Sequence, residues 1–238
     1  MTITSPTNKH LTEIRKLGRA AARARAGRFV AEGEDLHEAA DAAGVSPLFV
    51  LCAAGHAGAG RAGWLEVEPE LLASVSALGS GSRAVGVYEQ RWSAPAGPLA
   101  VGLWGVGDPG NVGTIIRAAH AFGASCVVLG PRCADPHGPK AVRASMGAIF
   151  ATRIARASAV AQLPGRVVGL ALGSPAVLRG PREGELTLLV GGEREGLPGD
   201  VLEECAEVCS IAQAAGDSLN AAMAATVALY EVTRMADR

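Results

Sequence analysis

The apolar positions of the chain change rhythm near residue 90. Before that point, Leu11, Ile14 and Leu17 recur at helical spacing within a predicted helix over 8–26, and a second helix is predicted over 34–43, ended by Gly44. Strands are predicted at 48–53 and 64–68, a helix at 69–78 opened by Pro69, and a strand at 84–89. Prolines and a glycine punctuate RWSAPAGP, residues 91–98, which reads as a linker. Beyond it the alternation becomes regular: strands at 99–106, 126–130, 150–155, 166–172, 186–190 and 207–211, with helices at 112–122, 138–146, 158–163 and 218–235. Strand–helix alternation of that kind predicts a mostly parallel sheet covered on both faces. The expected organisation is a small α/β domain at 1–90, the linker, and a larger α/β domain at 99–238.

Composition narrows the class. At 238 residues with 49% hydrophobic content, the chain can bury a core in each domain, and no apolar run approaches the length of a membrane span. The N-terminus lacks an apolar segment after its charges, so no secretory signal, no membrane partner and a cytoplasmic location are expected. Cys52, Cys126, Cys133, Cys205 and Cys209 form no C-x-x-C pair and the histidines are scattered, so buried free thiols and no metal site are expected. The net charge of −1 hides an asymmetry. Lys9, Arg15, Lys16, Arg19, Arg23, Arg25 and Arg28 face only Glu13 in the first stretch, whereas the residues after it are acidic. A basic, arginine-rich segment of this kind suits a polyanion such as RNA. A solvated helix face would give the same pattern.

The stretch WGVGDPGNVGTIIRAAHAFG, 104–123, reads two ways. Gly105, Gly107 and Gly110 spell G-x-G-x-x-G, the turn that seats a dinucleotide at a helix N-terminus. Against it, Pro109 lacks the N–H such a cradle needs, and Asp135 is a loose match for the acidic residue that would meet the ribose. Read from Asp108, the same letters place Gly110, Gly113 and Arg117 on one helix face. Asn111 then stands at the helix start as donor and acceptor. Taken singly, capping would explain Asn111 and a surface ion pair would explain Arg117. Later stretches add chemistry: KAVRASMGAIF (140–150) with Arg143 and Ser145, LVGGEREGLP (189–198) with Glu193 in a glycine turn, and a final helix opened by Asp217, Ser218 and Asn220. Asp217 or Ser218 is the expected N-cap of that helix.

DPGNVGTIIRAA, then GGEREGLP, then SLNAA resembles, in order, the three signature motifs of the SpoU/TrmH family of RNA ribose 2′-O-methyltransferases. KAVRASMGAIF resembles the family's intervening pattern, and the N-terminal residues are similar to the ribosomal-protein-like substrate-binding domain many members carry. The resemblance implies a SPOUT α/β-knot fold with a C-terminal deep trefoil knot, a homodimer, and S-adenosyl-L-methionine as cofactor. It implies cofactor binding by Leu172, Gly191, Gly192, Glu193, Ile211, Gln213, Ser218, Leu219 and Asn220, and catalytic roles for Asn111, Arg117, Glu193, Ser218 and Asn220. RNA contacts would come from Lys9, Arg15, Lys16, Arg19, Arg23, Arg25, Arg28 and Arg143. Ribosomal RNA is the expected substrate, with transfer RNA as the other RNA class. A guanidinium is too weak an acid for easy base duty, so Arg117 is assigned to orient a phosphate and polarise the hydroxyl. The chain departs from the family at Ile211-Ala212-Gln213, where Ile-Pro-Met is usual, and at Ala221-Ala222, where Val-Ser is usual. Two alternatives stay open: a nicotinamide-dependent oxidoreductase using Gly105, Gly107 and Gly110, and a non-catalytic RNA-binding paralogue.

Overall fold

The computed structural model describes residues 2–77, 83–214 and 218–234. They form two units, Met1–Gln90 with Asp135–Phe150, and Arg91–Ala134 with Ala151–Arg238. The segment 135–150 therefore groups with the N-terminal residues, although it was expected inside the 99–238 domain.

In the first unit α1 (Lys9–Leu17), α2 (Ala20–Ala26), β1 (Arg28–Glu32), α3 (Glu34–Ala42), β2 (Phe49–Ala53), β3 (Trp64–Val67), α4 (Pro69–Ala73) and β4 (Ala84–Glu89) follow in order. The sheet runs β1-β4-β2-β3, with β4 antiparallel to both neighbours and β2 parallel to β3. Leu11, Ile14 and Leu17 of α1 are buried among Phe49, Leu51, Val67, Val85 and Val87. Each such aliphatic side chain contributes about 1.5–3 kcal/mol.

Two expectations fail here for identifiable reasons. The helix over 8–26 is broken at Gly18, and Arg19 is extended at the head of α2. Arg23 makes the break possible: its guanidinium donates to the open carbonyls of Leu17 (2.9 Å) and Gly18 (3.0 Å) and, through Nε, to Asp135 (2.9 Å). At 5% exposure it is a structural cation, and its assignment to RNA binding is corrected. β1 was missed because Phe29 and Ala31 alone carry its alternation; pairing with β4, from Arg28↔Glu89 to Glu32↔Val85, makes it a strand. Within 135–150, α6 (Pro139–Ala144) leaves Arg143 exposed, while Ser145 is buried and donates to the Val142 carbonyl (2.6 Å). Phe29 meets His137 (4.9 Å between ring centroids), and Tyr88 meets Phe150 (4.8 Å).

The second unit holds β5 (Leu99–Trp104), α5 (Pro109–Ala121), β6 (Cys126–Leu129), β7 (Arg153–Arg156), β8 (Arg166–Leu170), β9 (Leu186–Gly191), α8 (Gly199–Glu203), β10 (Glu207–Cys209) and α9 (Ala221–Thr233). A four-residue helical turn, α7 (Ala148–Ala151), precedes β7 where a longer strand was expected. All neighbours in the six-stranded sheet, β10-β8-β9-β5-β6-β7, are parallel, as the strand–helix alternation predicts. From β5 the chain steps outward to β6 and β7, then resumes on the other side of β9. That reversal puts a switch point between β5 and β9, and open α/β sheets bind ligands at the strand carboxyl ends there.

The loop between β8 and β9 closes over the end of α9. A Cβ on Gly180 would lie 1.9 Å from the Glu231 carbonyl oxygen, and the Arg182 N–H donates to the Val232 carbonyl (3.2 Å). Arg182 also grips Glu207 on edge strand β10 (2.7 and 3.0 Å), and that grip holds the Glu207 carboxyl well below the usual range, with the Cys209 thiol assisting. No helix among the described residues is long and apolar enough to cross a membrane.

His37 gives this fold a pH signature. Buried at 3% exposure and bonded through Nδ1 to the Tyr88 hydroxyl (2.7 Å), its imidazole is held down at about 4 by burial, partly opposed by the Ala84 backbone and by Asp41 and Asp35. The unfolded chain, near 6.5, then binds the extra proton between those values. Stability should fall as pH drops from about 6.5 to about 4, by on the order of 3 kcal/mol. Thermal melts across that window should show a steeper slope for the wild type than for His37→Gln.

Candidate active site

Asp108 sets up the site. Its carboxylate accepts the Asn111 N–H (3.0 Å) and caps α5, with Pro109 at the first helical position. Asn111 is thereby released from capping, and its amide is free to reach outward. Nδ2 donates to Glu193 Oε1, and Oδ1 accepts from Asn220 Nδ2 (3.0 Å). An ionised carboxylate only accepts, so the amide orientation follows from its partner. Asn220 in turn caps α9, its Oδ1 accepting from the N–H groups of Ala222 (2.9 Å) and Met223 (3.4 Å). The expectation that Asp217 or Ser218 caps this helix is corrected at Asn220; Asp217 lies outside the described residues.

Glycines let the first two motifs meet backbone to backbone. Gly105, at φ +71°, turns the chain out of β5, and a Cβ on Gly192 would lie 2.4 Å from its carbonyl oxygen. A Cβ on Gly191 would lie 2.2 Å from the Gly196 carbonyl carbon, so the turn after β9 closes only around glycine. The start of α5 gives the dinucleotide reading no support. The N-terminus of α5, where a pyrophosphate would sit, is occupied by the Asp108 carboxylate and opened by a proline.

Beside this cluster lies a cavity of about 480 Å³ at the carboxyl ends of β8, β9 and β10, within the range of small-molecule sites. Leu172, Gly191, Gly192, Glu193, Ile211, Gln213, Ser218 and Leu219 line it; of the residues expected to hold the cofactor, Asn220 stands outside the lining. Leu170 and Ala171 at the end of β8, Leu197 in the turn after β9, and Ala221 and Ala224 on α9 also line it. Leu172 is 63% exposed, an apolar side chain offered to the cavity.

Arg117 stands apart from the hydrogen-bonded group. It is exposed on α5 and, among the described residues, makes no hydrogen bond or ion pair. The remaining expected RNA contacts are in the first unit. Lys9, Lys16, Arg19, Arg25 and Arg143 are exposed. Arg15 donates to the Pro6 carbonyl and the Ser74 hydroxyl, and Arg28 pairs with Glu13 (2.6 Å). Asp108 was the residue the motif reading overlooked as functional; Asp-Pro ahead of an apolar-periodic run is the signal that would have found it.

The site is thus a parallel α/β sheet with a cavity at the carboxyl ends of β8, β9 and β10, beside an Asn–Glu–Asn cluster. The SpoU rRNA methylase family model matches residues 98–230, more than half of the chain, and the chain belongs to that family. The 23S rRNA (uridine(2479)-2′-O)-methyltransferase of Streptomyces viridochromogenes is 38% identical over 145 residues, covering 53% of this chain and 49% of that protein. The chain thus spans about half the length of the curated relatives it matches. Among solved structures, the AdoMet-bound rRNA methyltransferase from Sinorhizobium meliloti superposes with a TM-score of 0.87 at 33% identity, over 98% of this chain and 97% of that one. The SpoU methyltransferase AviRb from Streptomyces viridochromogenes gives 0.83 at 27% identity, over 95% and 97%.

The double duty of Asn220 is separable. Asn220→Ala should cost about 1 kcal/mol by losing the cap, read as a lower melting temperature. Asn220→Ser should restore much of that stability without restoring the bond to Asn111. Equal melting of both variants and wild type would refute the capping role.

Proposed function

We propose that this protein transfers a methyl group from S-adenosyl-L-methionine to a ribose 2′-hydroxyl of ribosomal RNA. The observation that carries this reading is the Asn111 bridge, which binds the three motif segments together at the rim of the cavity. The cavity suits the cofactor. Val190, Leu197, Ile211 and Leu219 offer an apolar slot for a flat base, and Glu193, Gln213, Ser218 and the Gly191–Gly192 backbone offer the few polar groups such ligands need. When bound, the cofactor supplies an electrophilic methyl group on a sulfonium.

The chain's own residues align the acceptor. Asn111 and Glu193 hold the cavity rim in one arrangement, so orientation is established before RNA arrives. Arg117, unpaired and exposed, is assigned to the phosphate beside the target ribose, where its charge polarises the 2′-hydroxyl for loss of its proton. The first unit is assigned to RNA binding through Lys9, Lys16, Arg19, Arg25 and Arg143, with Arg15 and Arg28 in supporting positions. The same reading carries a knotted C-terminus, supported by the closure of Gly180 and Arg182 over Glu231 and Val232, and a cytoplasmic location with the ribosome's RNA. It also carries a homodimer, since Met223, Val227 and Tyr230 form an exposed apolar stripe on α9 at spacings of four and three.

Labelled methyl groups from S-adenosyl-L-methionine should enter ribosomal RNA with the wild type. Arg117→Ala should reduce transfer by about a hundredfold or more while leaving cofactor affinity and melting temperature unchanged. Full transfer by that variant would remove Arg117 from the mechanism, and no transfer by the wild type to any ribosomal RNA would overturn the function. Sedimentation tests the assembly separately: the wild type should run as a dimer and Met223→Lys with Val227→Glu as a monomer.

A further inference from the structure

The carboxyl edge of the second unit's sheet continues past the proposed site to cations that the mechanism does not use. β5, β6 and β7 are successive neighbours, so the segments leaving their ends lie in a row at about 5 Å per strand. The segment from β5 carries the Gly105 turn and leads to Asn111. The segment from β6 carries Pro131, Arg132 and Cys133, and it is pinned against that turn. The Gly105 N–H donates to the Pro131 carbonyl (3.0 Å), the Ala134 N–H to the Val106 carbonyl (2.9 Å), and the Cys133 thiol to the Leu103 carbonyl (3.2 Å). Arg132 sits in the middle of these anchors with φ +59°, a left-handed conformation that side-chain-bearing residues seldom adopt. Its side chain is exposed and, among the described residues, makes no hydrogen bond or ion pair. Glycine would suit this backbone position better. A strained position held by its surroundings points to a use for the side chain.

At the end of β7, Arg156 pairs in register with Leu129 of β6, so it occupies the same edge one strand further out. Its guanidinium carbon lies 3.8 Å from the centroid of the Trp92 ring. Stacking of this kind leaves the in-plane N–H donors of the guanidinium available to an anion. Arg156 is exposed and forms no ion pair among the described residues.

We propose that Arg132 and the Trp92-stacked Arg156 form a track for the RNA strand flanking the target nucleotide, each holding a backbone phosphate. The track starts at the Gly105 turn and runs outward over β6 and β7. It rests on the reading of the chain as an RNA methyltransferase and adds to the second unit a substrate contact that does not depend on the first. Phosphate contacts of this type position a strand without reading its sequence.

Purified bacterial ribosomal RNA is the probe, with retention measured for the wild type, Arg132→Gly and Arg156→Gln over a series of salt concentrations. Melting temperature and S-adenosylhomocysteine affinity are measured on the same samples. Arg132→Gly should melt higher than the wild type, because glycine relieves the left-handed strain, yet retain RNA about fivefold less well. Each variant should lower the salt slope by about one, with affinity for S-adenosylhomocysteine unchanged. Unchanged retention and slope in both variants would overturn the track. Labelled methyl transfer by the wild type, measured in parallel, separates that failure from failure of the methyltransferase reading. A wild type that retains no ribosomal RNA at all would overturn the track as well.

Discussion

The site depends on one side-chain amide. Asn111 reaches residues 82 and 109 positions away in the chain, donating to Glu193 and accepting from Asn220. The β5–β9 ladder, which ends at Trp104↔Gly191, sets the first two loop ends side by side, and the amide bridge ties both of them to the head of α9 to make one rim. The bridge in turn depends on Asp108. Without a cap supplied from outside the helix, the first-turn N–H groups of α5 would compete for the nearest side-chain oxygen. Asp108 and Pro109 answer that demand locally, and the amide is left for long-range work. The same economy recurs at α9, where Asn220 uses its oxygen for the cap and its nitrogen for Asn111.

Close backbone approach is the second constraint, and it explains the glycines better than nucleotide binding does. Gly192 touches Gly105, and Gly191 touches the Gly196 carbonyl group. Each contact removes the room a Cβ would occupy, so the turn after β9 can lie directly on the turn after β5. That proximity brings Glu193 within reach of Asn111. A larger side chain at Gly192 would push the two turns apart and break the amide bridge with them, even though position 192 takes no part in that bridge.

Much of this was legible in the sequence where periodicity or motif order carried the information. The alternation after residue 98 predicts a parallel sheet, and Asn111, Glu193 and Asn220 stand out because they recur in a known order. What stayed hidden was of two kinds. Strand β1 has only Phe29 and Ala31 to mark its alternation, and it exists because β4 supplies the hydrogen bonds. Arg23 looks like its basic neighbours in composition, yet its guanidinium is buried by carbonyls of Leu17 and Gly18 and by Asp135, more than a hundred residues away. Charge counting cannot separate a cation that caps a broken helix from one that faces solvent, because the difference lies wholly in tertiary partners. The same limit applied to the C-terminal helix. Asp217, Ser218 and Asn220 are all cap-forming residue types, and the helix begins after Asn220, whose Oδ1 accepts from the Ala222 and Met223 N–H groups.

The division of labour in the second unit follows from these facts. Asn111 spends both ends of its amide on Glu193 and Asn220, and Asn220 spends its own on Asn111 and the α9 cap, which fixes the two amides in place. Arg117 spends none among the described residues, and so retains all five donors for a ligand. For the proposed methyl transfer, a rigid rim and an unpaired cation are complementary: one aligns two partners and the other responds to charge on one of them. On the proposed function, tying Arg117 into the rim would order the free protein and reduce what the cation could do when RNA arrives. On that proposal its separation from the cluster serves the site, in the same way that freeing Asn111 from capping does.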